Sequence, residues 1–254
     1  MALRCLGTGG SRERLDLVDS SALDLPDSGW TVFLMFYPDS TVGVNTFAYM
    51  YAHGEPLTGS APALNILLVQ STSKLRVIVD SIFTTEVDFS TSNTINVDAW
   101  NSAIVRYDSG PRVIYAHLNG VQTSQSTAFA LNTLTPSGNA RIGDATHGTG
   151  GREMNGRIAH PSKWDRTFSS GDANHFTSFL ISPHFAQTDH IWHVPIWNAS
   201  FNFDVLNVIS TSPVGALYGN HAPAVYPADP MYNVPTPVPE SGGFQPESVR
   251  WTLA

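Results

Sequence analysis

Residues 113–123 read VIYAHLNGVQT. Two runs of strand formers flank Asn119-Gly120. A two-residue hairpin turn needs φ > 0 at both positions, and Asn followed by Gly tolerates this best. The stretch therefore predicts a β-hairpin, and a chain joined by such turns is built by antiparallel pairing.

The rest of the first 180 residues continues the pattern. Residues 30–37 (WTVFLMFY) are almost continuously apolar and hold four aromatics. The run is short for a buried helix and reads as a central strand covered on both faces. Further strand-like runs stand at 64–69, 75–79, 103–107, 113–118 and 121–127. Between them lie PDSTVG, HGEPLTGSAP and GDATHGTGG, which are turn chemistry. Strands at this spacing predict an all-β, antiparallel sandwich or barrel. One short helix is predicted within 169–180, with Ser169 or Ser170 as N-cap and Asp172 near the positive helix end.

After residue 181 the alternation stops. Seven of the chain's 17 prolines fall beyond residue 220. Prolines so dense block both helix and sheet ladder, so 181–254 is expected to be an irregular, aromatic and Pro-rich extension ending in an extended arm. The domain reading is 1–180 and 181–254.

Composition narrows the partners. Hydrophobic residues make up 42% of the chain and charged ones 13%, so a real core is available and the surface relies on Ser, Thr, Asn and Gln. The formal charge is −8, with Lys74 and Lys163 the two lysines and the arginines scattered. Without a basic stripe, nucleic acid is not expected as a partner. Cys5 is the one cysteine, which excludes an intrachain disulfide. The opening MALRCLGTGGSRERLDL has no apolar core of a signal peptide, and no run approaches the roughly 20 apolar residues of a membrane span. Cytoplasmic synthesis and no membrane association are expected.

Four stretches carry a resemblance. They are SRERLDLVDSSALDLPDSGWTVFLMFYP at 11–38, NVDAWNSAIVRYDSG around Trp100, the VIYAHLNGVQT hairpin, and ARIGDATHGTGGREMNGRIAHPSKWDRTFSS. In this order they resemble a concanavalin A-like jelly roll of the laminin-G type. The resemblance implies a two-sheet jelly-roll sandwich, with Trp30, Trp100 and Trp164 in the core and Gly143 and Gly156 where the backbone turns or passes close. Residues 182–227 resemble an appendage that follows such jelly rolls in tailed-phage and other viral proteins.

Possible chemistry is sparse. Glucanases of this class carry three carboxylates on one strand face. Glu86 and Asp88 share a face here, but Ser90 and Thr91 stand where the third acid belongs, so hydrolysis and any catalytic residue are not expected. The laminin-G resemblance implies a possible calcium at the sandwich rim, with Asp144 the best placed acid; the alternative is an Asx-turn. His184, His190 and His193 do not share a strand face, and Pro183 and Pro195 bracket them, so a metal there is not expected. No other cofactor is implied.

Two functions follow as expectations. The first is a non-enzymatic virion structural protein, a capsid decoration or minor capsid or tail component. It would bind neighbouring virion proteins such as the major capsid protein, as a homo-oligomer, a trimer being one form that shell symmetry allows. The second is a lectin-like, carbohydrate-binding module for host surface glycans, carried by the fold alone.

Overall fold

The computed structural model describes residues 3–5, 14–17, 19, 21–39, 47–54, 63–81, 84–126, 133–146, 152–178, 192–193, 196–198, 203–205 and 215–218. The strands are β1 (Leu3–Cys5), β2 (Arg14–Leu17), β3 (Trp30–Pro38), β4 (Phe47–His53), β5 (Ala63–Val69), β6 (Lys74–Ser81), β7 (Thr84–Thr94) and β8 (Asn101–Asp108). They continue as β9 (Val113–Leu118), β10 (Val121–Gln125), β11 (Ala140–Ile142), β12 (Gly156–Trp164), β13 (Trp192–His193), β14 (Ile196–Asn198), β15 (Phe203–Val205) and β16 (Gly215–Tyr218). One α-helix, α1 (Ser170–Thr177), is described.

Two seven-stranded sheets form the body. The first runs β1-β12-β3-β8-β9-β10, with β13 also pairing to β12; the second runs β16-β2-β11-β4-β5-β6-β7. Every described strand pair is antiparallel. The predicted two-sheet sandwich is therefore the architecture found.

Side-chain alternation divides β3 between two cores. Trp30, Val32, Leu34 and Phe36 point inward to the main core between the sheets. Phe33 and Met35 point outward, into a second cluster with Ile104, Trp164, Phe168, Ala173 and Phe176. The helix lays Ala173 and Phe176 over that outer face. This is why 30–37 reads as an unbroken apolar run: both faces of the strand are covered.

Trp30 stacks on Tyr107 inside the main core, with ring centroids 6.3 Å apart. Trp100 differs from expectation. It immediately precedes β8, is half-buried, and packs on the outer cluster rather than between the sheets, edge-on to Tyr37 at 5.8 Å.

The hairpin turn has φ of 50° at Asn119 and 87° at Gly120, as its sequence requires. The Asn119 side chain also accepts from the Ser102 N–H at 2.9 Å, tying the turn to β8.

Of the strands that the sequence pattern does not mark, two have a clear reason. β4 has no clean alternation, and β7 (TTEVDFSTSNT) is polar because it is a sheet edge. The stretch beyond 181 is also less irregular than expected. β13 extends the first sheet, β16 pairs with β2 at the edge of the second, and β14–β15 form a small ribbon. The proline-dense stretch beyond residue 220 lies outside the described residues. Among the described residues, no helix is long and apolar enough to cross a membrane.

Candidate functional site

Strand register brings one polar group of residues together. On the outer face of the first sheet, Thr31, Arg106, Tyr115 and Gln125 form one cross-strand row. Phe33, Ile104, His117 and Gln122 form the next. Residues three apart in a regular strand face opposite ways. A register shift between Gln122 and Ser124 breaks the alternation and keeps Gln122 and Gln125 on one face. α1 covers Phe33, Ile104 and His117 of the second row and leaves Tyr115 and Gln125 of the first open.

The result is a groove of about 620 Å³, lined by Arg106, Asp108, Tyr115, Gln122, Gln125, Thr167, Phe168, Ser169 and Ser170. Arg106 is its centre. The residue is 3% exposed, and its guanidinium lies 4.1 Å from the Tyr115 ring centroid. Its Nε donates to His117 Nε2 at 3.0 Å. Its Nη2 donates to Ser170 Oγ at 2.7 Å, and Ser170 in turn donates to Gln122 Oε1 at 3.0 Å. Asp108 Oδ2 is 3.8 Å from Nη1. Burial lowers the arginine's pKa, with the neighbouring Tyr115 and Asp108 opposing.

His117 is held from both sides. Nε2 accepts from Arg106, so Nδ1 carries the proton and donates to Asn174 Oδ1 at 2.7 Å. Burial drives its pKa down to about 4. The helix start is capped as predicted: the Asp172 N–H donates to Ser169 Oγ at 3.1 Å, and Ser169 Oγ donates to the Asp172 carboxylate at 2.8 Å. The Asp172 charge sits against the positive helix end. Chemically, the groove offers amides, a phenol, a guanidinium and a carboxylate around an aromatic ring. That is a set for hydrogen-bonding and stacking a polar ligand, with no nucleophile beside a base among its lining residues.

The sequence reading did not single out Arg106, Tyr115 or the two glutamines. The available signal was an arginine inside the apolar run AIVRY, facing a histidine-bearing neighbour.

Asp144 lies on the opposite side of the molecule, next to β11 of the second sheet. It is 2% exposed. Its Oδ1 accepts from the next residue, Ala145 N, at 2.7 Å. Arg14 Nη1 stands 3.5 Å from its Oδ2, while Arg14 Nε binds Asp16 Oδ1 at 2.7 Å. Arg141 Nε approaches the same Asp16 oxygen at 3.5 Å. Among the described residues, two guanidinium groups thus face two carboxylates, whereas a calcium ion wants several uncompensated oxygens; residues 147–151 of the same loop lie outside the described residues. Among the described residues no three His, Cys, Asp or Glu side chains gather as a metal site.

Glu86 lies in β7, with its side chain outside the described residues. Asp88 is bound by Arg76 Nε at 2.7 Å. His184 and His190 lie outside the described residues, and of His193 only the backbone, in β13, is described.

Comparison with known proteins follows the same lines. The laminin-G-type model described as the concanavalin A-like lectin/glucanases superfamily matches residues 12–174. No curated protein sequence matches the chain. Among solved structures, the native heptameric SAP-like pentraxin of Limulus polyphemus is similar at 10% identity and TM-score 0.54, over 87% of this chain and 94% of that one. The sialidase module CBM40 of Ruminococcus gnavus, bound to α2,3-sialyllactose, is similar at 9% identity and TM-score 0.54, over 70% and 98%. A candidate carbohydrate-binding protein of Bacteroides ovatus is similar at 12% identity and TM-score 0.57; 85% of this chain covers 58% of that protein. At these identities the likeness is one of fold.

Proposed function

The chain belongs to the concanavalin A-like lectin/glucanases superfamily, and from that premise we propose that it is a non-catalytic carbohydrate-binding module whose site is the groove beside α1. One observation carries this reading: a buried Arg106, stacked on Tyr115, faces an open groove walled by the side-chain amides of Gln122 and Gln125. Sugars present hydroxyls that both donate and accept, around faces of C–H groups that pack on aromatic rings. Planar amide, guanidinium and phenol groups match that surface. The carbohydrate-binding assignment of two of the fold neighbours points the same way.

A glycan array followed by calorimetry tests the proposal. Wild-type protein retains at least one oligosaccharide, and Tyr115→Ala and Gln125→Ala, each melting like wild type, weaken that binding. Binding unchanged in both variants removes the site from this groove.

A second reading has its own support in the sequence. The low charge, the single cysteine and the seven prolines beyond residue 220 suit a protein packed against neighbours in a virion, with the terminus as a strap. The two readings are compatible, since a surface component of a particle can also hold glycans. Deleting 220–254 then abolishes binding to particles while the sandwich still melts cooperatively; a truncated protein that saturates particles removes the strap.

A further inference from the structure

We infer that the groove takes a neutral sugar through neighbouring hydroxyls and turns away carboxylate-bearing sugars, an inference that rests on the glycan-binding reading above. The argument starts from the arginine's donors. A guanidinium has five N–H groups. In Arg106, Nε is committed to His117 and Nη2 bonds Ser170. Nη1 makes no hydrogen bond among the described residues, and its facing acid, Asp108 Oδ2, is 3.8 Å away, too far for one. A donor and an acceptor therefore stand side by side, both addressing the groove.

A pair of adjacent hydroxyls completes such a gap. One accepts from Nη1 and the other donates to Oδ2. Gln125, in the same cross-strand row as Arg106 and Tyr115, adds a further donor and acceptor at the open end. An isolated carboxylate satisfies only the first half of this arrangement and meets Asp108 as a like charge.

Charge balance agrees. Asp108 answers Arg106, and Asp172 with Ser169 already occupies the positive end of α1. His117 must stay neutral at Nε2 to accept from Arg106. No net positive charge is left over for an anion. The side chain of Asp108 is 37% exposed, so it is reachable from solvent and replaceable without opening the core.

The test prints neutral oligosaccharides of glucose, galactose, mannose and xylose beside their sialylated and uronic-acid-containing counterparts. The wild-type protein is expected to bind members of the neutral set and to bind the matched acidic members at least about tenfold more weakly. Asp108→Asn is expected to weaken neutral binding about tenfold and to abolish the discrimination against acidic members. Its melting curve should match wild type, because the carboxylate is exposed. Gln125→Ala, also at the surface, is expected to weaken neutral binding on its own. Acidic glycans bound as tightly as their neutral counterparts, with losses in both variants, would overturn the neutral preference while leaving a glycan site in the groove. Retention of no glycan of either class would overturn the carbohydrate-binding reading itself.

Discussion

Arg106 Nε donates to His117 Nε2 across 3.0 Å, so the buried imidazole must remain neutral for the groove to keep its shape. Protonating Nε2 would set two N–H groups against each other. Burial is the larger reason the histidine resists a proton, and its pKa is held down to about 4. His53, buried inside the sandwich, is also driven by burial down to about 4.

A pH dependence follows with a definite sign. An unfolded histidine titrates near pH 6.5. As pH falls from about 6.5 to about 4, the unfolded chain takes up protons that the folded chain refuses, so folding stability drops with falling pH across that window. Above it the contribution is constant. Each histidine accounts for at most about 3 kcal/mol. Denaturant unfolding at stepped pH should show this decline, and His117→Gln should reduce its slope by about half. A slope unchanged in the variant contradicts the assignment.

The cap of α1 is also testable. Ser169→Ala removes the acceptor of the Asp172 N–H and should cost about 1 kcal/mol in urea unfolding. Because Ser170 begins the helix and holds Arg106, sugar affinity should fall too, and Ser169→Thr should restore both. Normal affinity in the alanine variant would separate the helix start from the groove.

Two glycines distinguish a steric clash from backbone preference. At Gly156, with φ of 147°, a Cβ would lie 2.0 Å from the Tyr37 carbonyl oxygen, a backbone atom that cannot step aside. Gly156→Ala should therefore fail to fold or lose more than about 3 kcal/mol. At Gly138, with φ of 83°, a Cβ meets nothing within 4 Å. Gly138→Ala should carry only the conformational cost, about 1–2 kcal/mol. Equal losses in thermal melts would refute the close approach at Gly156.

At Asp144 the expectation is structural. With Arg14 opposite its carboxylate, Asp144→Asn should lose about 2 kcal/mol, less than a fully orphaned buried ion because Arg14 keeps Asp16. Millimolar calcium should leave the wild-type melting temperature in place. A rise of several degrees with calcium, absent in the variant, would make Asp144 a ligand after all.

How much of this was legible depends on the range of the interactions. The Asn119-Gly120 turn, the doubly covered run at 30–37 and the Ser169 cap are local, so neighbouring residues specify them. The groove is not local. It needs β8 beside β9, and an irregularity in β10 that turns Gln122 and Gln125 to the same side. No alternation pattern announces a bulge. Arg14 and Asp144 meet because β2 and β11 are adjacent strands, and a loop acid whose countercharge is far along the chain reads as a free ligand. Trp100 reads as a sandwich-core residue because its strand is; it has the parity of Ile104 and Arg106, and so shares their outer face.

The most direct test of the glycan site is a map of backbone amide shifts on titrating the full chain with a neutral oligosaccharide drawn from the array. The account predicts saturable shifts at Tyr115, Gln122, Gln125 and Ser170, which in Asp108→Asn need about tenfold more sugar to saturate. Shifts confined to β4–β7 of the second sheet, with the groove residues unmoved, would contradict it.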